Sequence, residues 1–361
     1  MSIQETEQAR LKGIAGAFCA RQVQQVQILP LGAGNINDTY LVASPDLPKA
    51  FVLQKINRHV FKTPWDVIEN SGKLYRHLSR KAIALTLPEP LPTQDGTLCY
   101  IDEQEDYWRA FTYISPSQTA EYATTPDMAF RAGEAMALFL SGLSDLDPDE
   151  IVPVIPHFHH SSLRLLQFRE VLAADPVGRA SVCGEEIEFL LKECDVFRQV
   201  DESGFPQRVV HNDAKIGNML FHPETGQAIA VIDWDTAMPG AIPSDFGDMV
   251  RTMTTTLGEN DPRYDQVHLR RDWFEALARG FVPPLRQVAF PVELEGLVLG
   301  AKWIILEQMM RFLGDYLQGD TYYKTAYPDH NVVRARNQTA LYRSLLQQED
   351  ELQRIVVRKI G

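Results

Sequence analysis

The sequence predicts an α+β chain of two lobes, a small N-terminal lobe on an antiparallel sheet (residues 1–113) and a larger helical C-terminal lobe (residues 114–361). Three observations carry that prediction. β-type runs broken by turn residues recur as far as Ile114, and from Pro126 onward the apolar residues repeat with helical spacing. At 361 residues, 45% hydrophobic and 23% charged, the chain can fill two cores and needs no disordered region.

Residues 5–20 carry helical spacing and read as a lead-in helix. Val26 to Leu31 is strand-like. The turn that follows holds Gly32 and Gly34, which permit a tight reversal before the return strand Thr39 to Val42, with Asn35, Asn37 and Asp38 as the polar groups on that edge. The third strand, Ala50 to Asn57, reads AFVLQKIN; its neighbours Gln54 and Lys55 must point to opposite faces. Thr63 as cap and Pro64 at the first position open a helix over Trp65 to Arg80 that carries Glu69. Proline-rich Leu85 to Thr93 is a connector, Thr97 to Ile101 and Asp106 to Ile114 are strands, and SPSQT after them is the hinge between lobes. Trp108 and Arg109 on the last strand read equally well as core and surface.

The helical lobe opens with amphipathic segments at Asp127 to Ser141, Leu163 to Ala173 and Glu185 to Val200. Between the first two, His157, His159 and His160 cluster with no carboxylate or cysteine at ligand spacing, so a helix-entry loop is a better reading than a metal site. Val209, Val210 and Ala228 to Ile232 are strands around the polar loop HNDAKIGN, with Pro223 and Gly226 at the connecting turn and IDWD at the end. Arg271 to Gly280 and Val292 to Phe312 are long helices. Arg311, Asp315, Asp320, Tyr322 and Tyr323 gather at the end of the second, a group suited to a polyhydroxyl ligand, although tyrosines at such spacing also serve as core.

His211-x-Asp213-x4-Asn218, followed across a hairpin by Asp233, suits phosphoryl transfer. That reaction needs little covalent help but demands a positioned hydroxyl, Mg²⁺ against phosphate oxygens and neutralised charge. Asp213 would accept the hydroxyl proton and Lys215 would lie beside the transferred phosphate. Asn218 and Asp233 would bind Mg²⁺, a cation that prefers hard oxygen donors and keeps waters. Each residue alone is an ordinary turn former; their joint order points to function. His211 reads as a buried orienter. Asp245, Phe246 and Gly247 follow no apolar strand, so Asp245 is expected to accept hydrogen bonds from the loop rather than hold metal. Asp235 is either a second metal ligand or solvent-facing support. Such a site also needs a nucleotide lid, assigned to Gly32, Gly34 and Asn35, and a third-strand side chain at the α and β phosphates, Gln54 or Lys55, with Glu69 as partner acid. Asp38 is expected to face the acceptor.

A formal net charge of −13 argues against nucleic acid or an anionic membrane as partner. Cys19, Cys99, Cys183 and Cys194 are irregularly spaced and form no CxxC pair, the pattern of reduced thiols in a reducing compartment. The first residues lack an apolar stretch, and Leu294 to Met310 is interrupted by Glu295, Lys302 and Glu307, so a cytoplasmic location is expected.

The segments GAGNINDTYLV, FVLQKINRHVFKTP, YWRAFTYI, IPHFHHSSLR, HNDAKIGNMLF, VIDWDTAMPG, SDFGD and RFLGDYLQGDTYYK are spread over nearly the whole chain. On them the sequence resembles the aminoglycoside phosphotransferase-like, or choline-kinase-like, small-molecule kinases, and more closely the N-acetylhexosamine 1-kinase group. FVLQKIN and RFLGDYLQGD are the more selective segments. The resemblance implies a two-lobed protein-kinase-like fold, ATP and Mg²⁺, and phosphorylation of the anomeric hydroxyl of a sugar such as GlcNAc or GalNAc. It implies Asp213 as base, Asn218 and Asp233 as metal ligands, and Arg311 with Tyr322 as sugar contacts, with no obligate protein partner. Two positions depart from the pattern: Asn212, where relatives often carry Gly, and Gln54, where related kinases commonly carry a cation. The rival readings are a kinase for choline, homoserine or an aminoglycoside, the last calling for a carboxylate-lined cleft, and a nucleotide-binding pseudokinase, which usually loses a residue of the Asp213, Lys215, Asn218 and Asp233 set.

Overall fold

The computed structural model describes residues 3–19, 25–32, 36–255 and 257–360. Its N-terminal part comprises α1 (Ile3–Ala17), α2 (Pro64–Leu78) and an antiparallel sheet of β1 (Gln27–Pro30), β2 (Asp38–Ala43), β3 (Phe51–Lys55), β4 (Pro90–Leu91), β5 (Tyr100–Ile101) and β6 (Tyr107–Thr112). The strand order is β1-β2-β3-β6-β4, with β5 also on β6. Strand alternation gives the sheet two unlike faces. Phe51, Leu53, Trp108 and Ala110 join Ile28 and Val42 in a core against Leu11, Ile14, Ala15 and Phe18 around α1. Gln54 and Arg109, Cα partners across β3 and β6, therefore point the other way, toward α2. The connector Leu85 to Thr93 does more than link: its Pro90 and Leu91 pair with Phe111 and Ala110 at the sheet edge, where a proline is tolerated.

The helical part contains α3 (Pro126–Leu143), α4 (Ser161–Ala174), α5 (Gly184–Glu193), α6 (Asp195–Glu202), α7 (Ile242–Met253), α8 (Arg271–Leu285), α9 (Pro291–Glu295), α10 (Leu297–Leu317), α11 (His330–Leu346) and α12 (Glu349–Ile360). Thr125 caps α3 by accepting the Met128 N–H at 3.2 Å, with Pro126 in the first turn. Four short strands lie among the helices: β7 (Arg208–Val210) pairs with β10 (Met238–Gly240), and β8 (Met219–Phe221) with β9 (Ala228–Val231). The hinge segment crosses from sheet to helices by pairing Gln118 with Phe221 of β8.

Two helix crossings explain the departures from sequence expectation. Helix α8 continues past Gly280 through Pro283 and Pro284 to Leu285. Gly280 lets α8 lie against α3, since a Cβ there would overlap the Phe130 carbonyl oxygen. Helix α7 was not apparent from sequence, because Ser244 to Asp248 reads as polar loop. Every residue of it but Thr252 is buried, and at its crossing with α10 a Cβ on Gly247 would overlap the Gly300 carbonyl. The expected helix Glu185 to Val200 divides into α5 and α6 at Cys194, and Val292 to Phe312 into α9 and α10 at Gly296. The four cysteines are free thiols, and no described helix is long and apolar enough to cross a membrane.

Candidate active site

Strand β7 ends at Val210 and delivers His211, Asn212 and Asp213 into a loop tied from three sides. His211 is fully buried; its Nε2 donates to the Ile232 carbonyl at 2.9 Å and its Nδ1 accepts the Asp213 N–H at 3.3 Å. Both Asp245 oxygens accept backbone N–H groups at 2.7 Å, one from His211 and one from Asn212. Burial pushes the Asp245 carboxyl up to about 6, with those two bonds and His211 working in the opposite sense. Asp245 sits in the first turn of α7, and its carboxylate is spent on the loop. Asn212 has φ 61°, a left-handed conformation that Asn tolerates, and its amide donates to the carbonyls of Thr236 and Met238 at 3.0 and 3.1 Å. Asn212 thus anchors the loop to β10.

A second set of bonds gathers the polar side chains. The Lys215 ammonium donates to Asp213 Oδ2 at 2.7 Å, and Asn218 Nδ2 donates to the same oxygen at 2.9 Å and to the Asp213 carbonyl at 2.8 Å. Burial alone would raise the Asp213 carboxyl, but Lys215 outweighs it, with help from His211 and Asn218, and holds it well below the usual carboxylate range. The Ile232 N–H donates to the Asn218 carbonyl at 2.9 Å, so the β8–β9 hairpin sets Asn218 beside the strand end that carries Asp233. Asp233, at φ 61°, is exposed beyond the end of β9; desolvation by its neighbours and then the Asp235 charge raise its carboxyl, Asp213 adds to the rise, and Lys215 and Arg109 oppose it. Asp213, Lys215, Asn218 and Asp233 therefore share one electrostatic site. The Asp233 carboxylate and the Asn218 Oδ1 oxygen accept no hydrogen bond from any described residue, which leaves two hard oxygen donors suited to Mg²⁺.

Beneath the loop, His159 bonds through Nδ1 to Glu307 Oε1 at 2.7 Å and through Nε2 to the Asn212 carbonyl at 3.0 Å. Ser161 Oγ and Trp303 Nε1 donate to the other Glu307 oxygen. Both partners of the His159 ring are acceptors, so both nitrogens carry protons. Burial works against that charge, but Glu307 prevails and raises His159; Glu307 is lowered, His159 overcoming its own burial. The histidine cluster is thus a prop for the loop, and the described residues contain no grouping of three or more His, Cys, Asp or Glu fit for a metal.

One turn beyond Glu307 on α10, the Arg311 guanidinium lies over the rings of Phe158, Tyr322 and Tyr323, 5.3 to 5.8 Å from their centroids. Its charge is felt by Asp213. Tyr322 is more than half exposed and meets Tyr323 edge-on at 4.9 Å. The acids expected in this group are occupied elsewhere: Asp315 accepts the N–H groups of Thr321, Tyr322 and Tyr323, and Asp320 pairs with Arg179 and Asn331. They build the loop that presents the tyrosines.

The remaining expected residues divide. Gly32, at φ 72°, shapes the β1–β2 turn that Leu31 N–H closes onto the Thr39 carbonyl at 2.9 Å; Gly34 and Asn35 lie outside the described residues. Lys55 is not brought to the cleft. It shares the α1 face of the sheet with Leu53 and pairs with Asp38 at 3.0 Å, which takes Asp38 away from the acceptor side as well. Glu69 joins neither Gln54 nor Lys55; Ser71, half a turn further on α2, faces the sheet instead.

Sequence reasoning missed Arg109. It is 2% exposed, and its guanidinium donates to Gln54 Oε1 twice, at 3.1 and 2.9 Å, to Ser71 Oγ at 3.1 Å and to Asp235 Oδ1. The other Asp235 oxygen accepts the Asn37 amide at 2.7 Å. Asp235 is therefore neither solvent-facing nor free for metal. The signal was present in strand alternation: Trp108 in the α1 core forces Arg109 to the Gln54 face. A separate hollow of about 860 Å³, bordered by Tyr264, Arg336 and Arg343, shares no residue with this cluster.

Comparison with solved structures finds the same fold at low sequence identity. A microcompartment-associated aminopropanol kinase is 18% identical with a TM-score of 0.62, covering 94% of this chain and 98% of its own. A spectinomycin phosphotransferase solved with ADP and spectinomycin is 13% identical with a TM-score of 0.55, covering 97% and 98%. A choline kinase from Cryptosporidium parvum Iowa II is 13% identical with a TM-score of 0.56, covering 95% and 97%. The model of the phosphotransferase enzyme family matches residues 27–285, which takes in the sheet, the hinge, the loop after β7 and Asp233, and the chain belongs to that family.

Proposed function

We propose that this phosphotransferase is an ATP- and Mg²⁺-dependent kinase that phosphorylates the anomeric hydroxyl of an N-acetylhexosamine such as GlcNAc or GalNAc. The observation that carries the reading is the convergence of Asp213, Lys215, Asn218 and Asp233 in one electrostatic site with Arg311 and its tyrosines nearby. Asp213, held strongly acidic, orients the acceptor hydroxyl toward the γ-phosphate and receives its proton late, as a loose transition state allows. Lys215 leaves Asp213 for the transferring phosphoryl oxygens as their charge develops. Asn218 and Asp233 would hold Mg²⁺, which supplies charge neutralisation at the phosphates.

The acceptor side favours a neutral sugar over a polycation. Arg311 contributes a positive charge, and the nearby carboxylates of Glu307, Asp315 and Asp320 are spent on protein partners. A choline or aminoglycoside cation would meet Arg311 without a free acid to offset it. Exposed tyrosine beside the guanidinium offers the stacking and hydrogen-bonding surface a sugar ring uses. The choice of N-acetylhexosamine is further supported by the resemblance on FVLQKIN and RFLGDYLQGD. The test is a panel of GlcNAc, GalNAc, choline, homoserine and kanamycin with ATP and Mg²⁺, the products read by ³¹P NMR. The expected product is an anomeric sugar phosphate; preferential phosphorylation of choline, homoserine or kanamycin overturns the assignment.

A further inference from the structure

From the pairing of Gln54 with Arg109 we infer that Arg109, on the neighbouring strand, is the cation that engages the nucleotide phosphates, in place of a lysine on the third strand. The inference rests on the reading of the chain as a nucleotide-dependent kinase and concerns how this sequence fills that role.

Lys55 and Arg109 are the only cationic residues in the six strands of the N-terminal sheet. Lys55 is turned to the α1 face and held by Asp38 and, at 3.8 Å, by Asp106. That leaves Arg109 as the one cation those strands offer to the cleft. Its surroundings are those a phosphate-directed cation requires: a third-strand side chain and a residue of α2 orient it, here Gln54 and Ser71 instead of a lysine and an acid. At its far end it meets Asp235, two residues beyond Asp233, so it stands at the metal end of the cleft, and its charge is felt at the Asp233 carboxylate. Asn37, from the strand end after the glycine turn, closes the set on Asp235 and donates from there at 2.7 Å.

Donor arithmetic supports the assignment. A guanidinium has five N–H groups. Four hydrogen bonds are made, two to Gln54, one to Ser71 and one to Asp235, which leaves one N–H on Nη1 with no acceptor among the described residues while the rest fix the plane of the group. A planar cation oriented on both edges loses little freedom on meeting phosphate, an advantage that a flexible lysine lacks. The side-chain amide of Gln54 is then part of the device: its carbonyl oxygen takes two guanidinium N–H groups, and its own amide donates to Thr39 at 3.1 Å, which fixes the amide orientation.

Calorimetric titration of ATP with Mg²⁺, and of adenosine, into the wild type, Arg109→Gln, Gln54→Lys/Arg109→Gln, Ser71→Ala and Lys55→Met decides the matter, with near-UV circular dichroism confirming the fold. Arg109→Gln should bind ATP about tenfold to a hundredfold more weakly, the worth of a charged hydrogen bond, while adenosine binds within about twofold of wild type. The double variant, which returns one positive charge to the adjacent strand beside Asp235, should recover at least about a third of that lost affinity on a logarithmic scale. Ser71→Ala removes only the orienting bond and should weaken ATP about threefold, which keeps the inference falsifiable should Arg109→Gln fail to fold. ATP affinity unchanged in Arg109→Gln, or in Ser71→Ala where the former is unfolded, overturns the inference, as does a loss in Lys55→Met with Arg109→Gln spared. A wild type that binds no ATP at millimolar concentration overturns the kinase reading itself, so the two failures are distinct.

Discussion

Replacing Glu307 by Gln probes the buried polar prop beneath the catalytic loop. In the wild type an imidazolium at His159 donates to Glu307 at 2.7 Å and to the Asn212 carbonyl at 3.0 Å, with Ser161 and Trp303 completing the shell around the carboxylate. Removing one partner of a buried ion pair costs about 3–5 kcal/mol, and because the Gln oxygen retains one acceptor, the low end, about 3 kcal/mol, is expected. The pH dependence has a defined sign. His159 is raised above its ordinary 6.5, so its contribution is complete below that value and fades as pH rises through the raised one. Glu307 is lowered, so its contribution is present above the ordinary carboxylate range and fades as pH falls through the lowered value. Urea unfolding of both proteins should show the widest stability gap near pH 5 to 6.5 and a narrower one at alkaline pH. A gap below about 1 kcal/mol near pH 6, or one that stays constant from there to alkaline pH, would refute the ion-pair assignment.

The other predictions concern packing and metal. Gly300→Ala should destabilise the fold by about 1–3 kcal/mol, because the new Cβ overlaps the Pro243 carbonyl at the α7–α10 crossing; thermal unfolding measures this, and an unchanged midpoint would mean the crossing relaxes freely. Asp233→Asn should raise the Mg²⁺ concentration for half-maximal activity by ~10-fold or more while leaving the unfolding curve nearly unchanged, since the carboxylate bonds to no described residue. Equal Mg²⁺ requirements would remove Asp233 from the metal site.

The polar cluster was legible in sequence because its residues are close in the chain and the hairpin between Asn218 and Asp233 is local: Met219 pairs with Val231, so the spacing fixes the geometry. Asp245 was legible as a support for the loop by a different route: it follows no apolar strand that would aim it at a metal, which left the loop backbone as its partner. Which side of the sheet carries Gln54 and which carries Lys55 was not legible. Whether Gln54 or Lys55 faces the cleft depends on which side α1 covers, a contact between segments far apart in sequence, and only the packing of Leu53 and Trp108 under α1 decides it. Arg109 was missed for the same reason. Helix α7 was obscured because it buries polar residues, Asp245 against the loop and Asp248 with one oxygen on Arg251, which defeats a reading based on apolar periodicity. Gly280 misled because its function is helix contact, a role that no local pattern separates from a helix stop.

The central claim, that the Asp213 carboxylate positions the acceptor hydroxyl for transfer, is tested most directly by Asp213→Asn, with turnover and the binding of ATP·Mg²⁺ and sugar measured on the same preparation. Turnover should fall by ~10²-fold or more while both ligands bind within about threefold of wild type. Near-normal turnover, or loss of both ligands from a folded variant, would contradict it.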